Sequence, residues 1–293
     1  MTKTLIAITT YMKSDGLVKL LTSLVKHNYH LSNKILVCDD NAGKDYLITK
    51  KDNPDHPHWR VEISGEVLGI DYTIVDPAEM PSAEKAVKTW LGVIRAPVDI
   101  EVISGKARGG VAINKNRGIK YFLEHPEFDE LLMLDDDIVM TGPGLLEACR
   151  ATGEPHMTGM LGSGLQSESF GADACPFFQS FPPKWETPTH LYCEGSMGCM
   201  LYFTREAVRK AGYFDRMPDI YGAEHSLYSN RINALYGKYI DWFPILKGCD
   251  RFFISQEIPN NYAANYEKNM KYWAKRKPEI FKGINLTIKN PGF

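Results

Sequence analysis

Three features of this 293-residue sequence predict an α/β fold, with a mostly parallel central sheet flanked by helices. First, short continuous apolar runs have the length and composition of strands covered on both faces: TLIAIT at 4–9, KILVC at 34–38 and LLML at 131–134. Second, the stretch between the first two runs repeats Leu17, Leu20, Leu21, Leu24 and Val25 at helical spacing, which makes a β-α-β crossover and a right-handed parallel pair. Third, every run ends in polar residues: Thr9-Thr10-Tyr11, Asp39-Asp40 and Asp135-Asp136-Asp137. The strands therefore deliver polar side chains to one edge, where open α/β sheets bind their ligands.

The elements follow in order. Ser14 offers an N-cap to the first helix. Residues 44–98 read as an insertion. It holds the turn-rich Asn53-Pro54-Asp55-His56-Pro57-His58, short strands around 59–63 and 72–75, and a helix over 82–91, and no chemistry is assigned to it. A strand over 98–104 leads into Gly105-Lys106-Ala107-Arg108-Gly109-Gly110 and a helix through Asn114, Asn116, Arg117, Gly118 and Phe122. Glycines before a helix N-terminus let an anion approach the backbone, and Lys106 and Arg108 add charge. The spacing is neither that of a P-loop nor that of a dinucleotide fingerprint, and a flexible connector is the alternative.

Residues 153–198 are rich in Gly, Ser, Pro and aromatics, Trp185 and Tyr192 among them, which cover a core or stack on something flat. A strand over 199–203 follows, then a helix capped by Thr204 and stopped at Gly212. Tyr221-Gly222-Ala223-Glu224-His225 opens another helix, ending near Gly237, on which Glu224, Leu227, Tyr228 and Arg231 share one face. The segment 260–276 reads as an amphipathic helix packed on the main body.

Composition narrows the classes. Net charge is −2, so there is no global basic field for nucleic acid. Cys38, Cys149, Cys175, Cys193, Cys199 and Cys249 show no metal-binding or disulfide spacing and read as reduced thiols of a cytoplasmic protein. The N-terminal apolar run is too short for a signal sequence, and no run reaches the roughly 18 residues of a membrane span.

Three adjacent carboxylates repel one another unless a cation arrives. Hard oxygen ligands at alternate positions suit Mg²⁺ or Mn²⁺, which would in turn hold phosphate oxygens. The bland counterpart is an acidic turn capping the next helix.

In this order the pieces resemble nucleotide-sugar glycosyltransferases of the GT-A fold, family-2 type, from Thr4 to about Gly237. The matching pieces are Thr9-Thr10-Tyr11, Asp39-Asp40-Asn41-Ala42, Gly109-Gly110 through Asn116-Arg117-Gly118, Leu134-Asp135-Asp136-Asp137, Gly212-Tyr213-Phe214-Asp215 and Gly222-Ala223-Glu224-His225. Two positions depart from the family's pattern. Lys115 stands where an arginine is usual, and His225 stands where the family's general-base aspartate is usual.

The resemblance implies a metal-dependent transfer of a hexose or pentose from a UDP-sugar to an acceptor hydroxyl, with inversion. Residues 1–140 would bind the nucleotide sugar, 141–250 would form the acceptor and catalytic half of the same domain, and 251–293 a helical tail. Thr9, Tyr11, Asp39, Arg108, Asn116, Asp135 and Asp136 would contact the nucleotide sugar. Asp137 and Asp135 would hold Mn²⁺ or Mg²⁺, and Glu224 or His225 would act as base, Arg231 keeping Glu224 ionised; alternatively His225 completes the metal shell. The acceptor would be a saccharide, a protein side chain or a hydroxymethylated base in phage DNA. The rival readings are a metal-dependent phosphohydrolase or nucleotidyltransferase, and a non-catalytic nucleotide-sugar-binding module.

Overall fold

The apolar runs form strands, and the polar residues at their ends fall on one edge. The structure is a computed structural model describing residues 2–11, 13–41, 46–47, 61–67, 70–76, 79–80, 82–106, 109–159, 182–220, 222–255 and 263–289. β1 (Thr4–Thr10) is buried throughout, and α1 (Ser14–Lys26) crosses over to β2 (Lys34–Asp39), which pairs parallel to β1. Ser14 is the first helical residue and Lys13 holds the cap position, so the predicted cap lies one residue too far along.

Within residues 44–98 the structure describes β3 (Tyr46–Leu47), β4 (Val61–Val67), β5 (Ile70–Asp76) and β6 (Glu79–Met80). β4 and β5 pair as an antiparallel hairpin. α2 (Ala83–Ile94) follows, capped by the Ser82 hydroxyl, which accepts Lys85 N–H. Its Val87, Trp90 and Ile94 pack in the main core, and Trp90 donates its indole N–H to Thr22 of α1 at 3.0 Å. α2 is thus the crossover helix between β2 and β7 (Ile100–Ser104), which pairs parallel to β2. The segment read as an insertion contributes a core element as well as a hairpin.

α3 (Val111–Glu124) leads to β8 (Glu130–Asp135), which lies parallel to β1 on the other side. β9 (Ile138–Met140), α4 (Leu145–Ala151), β10 (His156–Thr158), β11 (Trp185–Glu186), β12 (His190–Cys193) and β13 (Met200–Thr204) come next. α5 (Arg205–Ala211) begins with Thr204 Oγ accepting Ala207 N–H and ends at Gly212, φ +71°, as the sequence predicts. α6 (Glu224–Leu235), β14 (Phe243–Leu246), β15 (Phe253–Ser255) and α7 (Ala263–Phe281) complete the chain.

The nine-stranded sheet runs β11-β12-β14-β10-β13-β8-β1-β2-β7. Its β8-β1-β2-β7 half is all parallel, and β13 enters antiparallel beside β8. Alternation along β1 sends Ile6 and Ile8 into the cluster that packs on α1 and α2, and Leu5 and Ala7 into the cluster that holds Ile119, Phe122, Phe203 and Tyr228. Both faces are therefore covered, which is what the unbroken apolar runs predict.

Candidate active site

Strand register builds the first half of the site. Thr9 stands opposite Asp135 across the β1–β8 ladder, and Thr10 stands opposite Asp39 across β1–β2. The Thr9 hydroxyl donates to Asp135 Oδ1 at 2.5 Å. With Lys13, Ser14, Asp39, Asn41, Ser82 and Ala83, Thr10 lines a small open cleft. Asp39 sits in this cleft with its carboxylate fixed, Oδ1 accepting Asn41 N–H at 2.8 Å and Oδ2 accepting the Ser104 hydroxyl at 3.3 Å. Tyr11, half-buried, follows on the same edge.

The adjacent Asp40 has a different task. Its Oδ1 accepts Gly109 N–H at 2.9 Å and its Oδ2 accepts Gly110 N–H at 2.8 Å, while Arg117 Nη1 reaches Oδ1 at 2.9 Å. Val111 N–H is taken by Ile220 O at 2.8 Å. The glycine segment that reads as an anion loop thus has its N–H groups at 109–111 bonded within the protein, and its anion is a side chain of the chain itself. Asp40 is what the helix N-terminus prefers there. Arg108 lies outside the described residues, and Lys106 is exposed.

The acidic triplet divides as a turn after a strand should. Asp136 is buried, and its Oδ2 accepts Tyr11 N–H at 3.4 Å while Thr10 also bonds it. Burial pushes its carboxyl well above the usual carboxylate range, with Asp137 and Asp135 adding repulsion. It braces the 10–11 turn from inside, so the geometry does not offer it to a nucleotide sugar. Asp135 and Asp137 are half-exposed at the same strand end. Among the described residues no group of three or more His, Cys, Asp or Glu side chains is arranged to hold a metal. Two carboxylates with phosphate oxygens nonetheless match how Mg²⁺ and chemically similar ions are held beside nucleotides, so the donor set fits.

Asn116 is fully buried, and both ends of its amide serve one residue: Oδ1 accepts Phe214 N–H at 2.7 Å and Nδ2 donates to Phe214 O at 3.2 Å. It fixes the chain beside Asp215, and its buried amide gives it no path to a ligand. Its neighbour Lys115, which the sequence marks only as a departure from the usual arginine, has partners that the sequence does not foretell. The Lys115 ammonium, 1% exposed, donates to Gly198 O at 3.0 Å and Glu224 Oε1 at 3.1 Å, and lies 3.6 Å from Asp135 Oδ1. Burial works against its charge, but Asp135 and Glu224 outweigh that and raise its pKa.

Glu224 is buried at the first turn of α6. Burial opposes its ionisation too, yet Lys115 and then His225 hold its carboxyl well below the usual range. Arg231, expected to do this, pairs instead with Asp215, Nε to Oδ2 at 3.1 Å, and Arg276 of α7 takes Asp215 Oδ1 at 2.9 Å. The shared face of α6 exists as predicted, and its Leu227, Tyr228 and Arg231 lie in the core.

His225 Nε2 lies 3.0 Å from Ser196 O, and its Nδ1 lies 3.6 Å from Glu224 Oε1. A carbonyl only accepts, so Nε2 carries the hydrogen. Gly198 makes this packing possible: a Cβ there would stand 2.8 Å from His225 Nδ1 and 3.2 Å from Lys115 Nζ. The loop before β13 is thereby tied to both residues, and Cys199 O accepts Asp135 N–H at 2.9 Å.

No protein-family model matches the chain, and no curated protein does. Among solved structures it is similar to mannosyltransferase PcManGT from Pyrobaculum calidifontis in complex with GDP-Man and Mn²⁺. That likeness has a TM-score of 0.53 and 13% identity over 97% of this chain and 69% of the other. It is also similar to S. aureus TarS 1-349 in complex with UDP, with a TM-score of 0.52 and 12% identity over 88% of this chain. The UDP-GlcNAc complex of the same TarS fragment gives a TM-score of 0.51 and 12% identity over 90% of this chain. The fold is that of the nucleotide-sugar glycosyltransferases.

This glycosyltransferase-fold chain spans 61% of the TarS fragment's length. No helix among its described residues is long and apolar enough to cross a membrane. Cys38, Cys149, Cys193, Cys199 and Cys249 are buried free thiols, and Cys175 lies outside the described residues.

Proposed function

We propose that the chain is a metal-dependent glycosyltransferase that moves a hexose or pentose from a UDP-sugar to an acceptor hydroxyl with inversion. The observation that carries this reading is the Lys115 ammonium, in contact with Asp135 at the strand end and Glu224 on the opposing helix. One buried cation thus joins a carboxylate suited to the donor to a carboxylate suited to the acceptor.

On this reading Asp39 accepts the imide N–H of uracil, with Thr10 and Tyr11 beside the ring, and Asp135 takes the ribose. Asp137, with Asp135, would hold Mn²⁺ or Mg²⁺. The ion would neutralise the departing diphosphate. Residues 1–140 form the donor half and 141–250 the acceptor half.

Glu224 takes the acceptor's proton. A carboxylate held this far ionised is a weak base, but glycosyl transfer passes through an oxocarbenium-like state. The attacking hydroxyl becomes acidic as its bond to the sugar forms, so a weak, well-placed carboxylate suffices. His225, donating from Nε2 to Ser196 O, orients Glu224 and the 196–198 loop. The acceptor class is a saccharide or another exposed hydroxyl, including one on a modified base.

The test is UDP release from a panel of UDP-sugars, with and without pooled glycan and hydroxymethylated-DNA acceptors, for the wild type and Glu224→Gln. Acceptor-dependent release that Glu224→Gln abolishes, with UDP binding retained, supports the reading. Near-native turnover in Glu224→Gln moves the base to His225, and release of inorganic phosphate in place of UDP supports the phosphohydrolase rival.

A further inference from the structure

The loop before Glu224 is gripped from behind by a helix that the proposed chemistry does not use. Asn269 of α7 is fully buried. Its Oδ1 accepts Asp219 N–H at 2.8 Å, and its Nδ2 donates to Gly222 O at 3.0 Å and Asp219 O at 3.3 Å. A primary amide is the side chain that supplies an acceptor and two donors at once, as a backbone segment turning around it requires.

On its other side the same loop touches α3. Ile220 O accepts Val111 N–H, and a Cβ on Gly110 would stand 2.7 Å from Ile220 Cα. Immediately after the loop Ala223 has φ +64°, left-handed backbone that an alanine does not adopt without external restraint. Glu224 follows as the first residue of α6. The direction of Glu224 is therefore set by a loop whose own sequence does not favour the conformation it holds.

We propose that Asn269 is a positioning residue for the reaction, holding the backbone at Asp219 and Gly222 in the place that aims Glu224 at the acceptor. The inference rests on the reading of Glu224 as base. α7 has a separate anchor, the Arg276–Asp215 pair, so the helix stays docked when the Asn269 amide alone is changed.

The test compares Asn269→Ala and the near-isosteric Asn269→Asp, which keeps the acceptor for Asp219 N–H and loses both donors. Three quantities are read: kcat and KM for release of UDP from UDP-glucose, UDP-galactose or UDP-GlcNAc, whichever the wild type turns over; UDP affinity by calorimetry; and amide hydrogen exchange over 219–223. The expected result for Asn269→Ala is a kcat at least tenfold lower, a donor KM and UDP affinity within threefold of wild type, and exchange at least tenfold faster. Asn269→Asp is expected to fall between the two. A kcat within twofold of wild type in Asn269→Asp despite faster exchange overturns the proposal, as does unchanged exchange in both variants. Glu224→Gln run alongside separates the two failures, because near-native turnover there removes the base and leaves the exchange result to judge the Asn269 clamp.

Discussion

The two halves of the site are built on different physics. At the strand-end edge Thr9, Thr10, Asp39 and Asp135 are set by parallel ladders, each residue placed by the strand that carries it. Around Glu224, the residues Lys115, Gly198 and His225 come from a helix, a loop and a second helix, and buried charge holds them together. A ladder distributes its support over many backbone hydrogen bonds, whereas a buried ion pair concentrates it in one contact. The first should tolerate loss of a side chain with its fold intact, and the second should not.

The strongest way to break this contrast is Lys115→Met. Removing the cation leaves Glu224 buried without its main counter-charge, and breaking a buried pair costs about 3–5 kcal/mol. Denaturant unfolding checks it, and a loss under about 1 kcal/mol would mean that the cluster behaves like a surface pair. The sign of the pH dependence follows from Glu224. Its folded pKa is depressed, so its contribution is present above the ordinary carboxylate range and lost as pH falls through and below that range. Lys115→Met should flatten this acid limb.

Asp137→Asn is expected to lower turnover by roughly a hundredfold, about 2.7 kcal/mol of transition-state stabilisation, while the unfolding midpoint stays near wild type. Full activity in excess chelator would contradict the metal assignment at once. Asp39→Ala should weaken UDP binding by about 1.5–3 kcal/mol, the range for charged hydrogen bonds, with a smaller loss of stability than Lys115→Met. Calorimetry in which GDP or CMP binds better than UDP would sink the uracil reading.

The last prediction lies away from both halves. His156 is fully buried beside Phe203, and among the described residues neither ring nitrogen has a hydrogen-bond partner. Burial, then Lys238, pushes its pKa down to about 3. Stability that depends on a neutral His156 is complete above pH ~6.5 and is lost as pH falls toward the folded value. His156→Leu should therefore lose less stability than wild type between pH 7 and pH 5, even if it is no more stable at pH 7 (both pH limits approximate). Parallel curves for the two proteins would refute this.

What was legible in the sequence follows the same division. The unbroken apolar runs state that strands are covered on both faces, and their polar ends state that Thr9, Asp39 and Asp135 share one edge, which is where the ladders place them. Adjacent aspartates were not. Asp39 and Asp40, or Asp135 and Asp136, look equivalent in a row of letters, but alternation sends one of each pair to the site and the other to an internal donor. Only the structure shows that Asp40 caps 109–110 and that Asp136 braces 10–11. Lys115 and Glu224 are 109 residues apart, beyond any local pattern. The face shared by Glu224 and Arg231 was right as helix geometry, but the sequence did not say that Asp215 would claim the arginine.

Asp215 carries one more consequence, for the making of the chain. Its carboxylate is buried between Arg231 and Arg276, and Arg276 lies 61 residues downstream. At a synthesis rate of about 5–20 residues per second, roughly 3–12 s separate the two on the ribosome. Throughout that interval a carboxylate that the finished protein hides between two arginines has at most one of them. The β1, β2, β7 and β8 strands are translated well before this point, so a nascent chain would gain the fold of its first half early and the docking of α7 last.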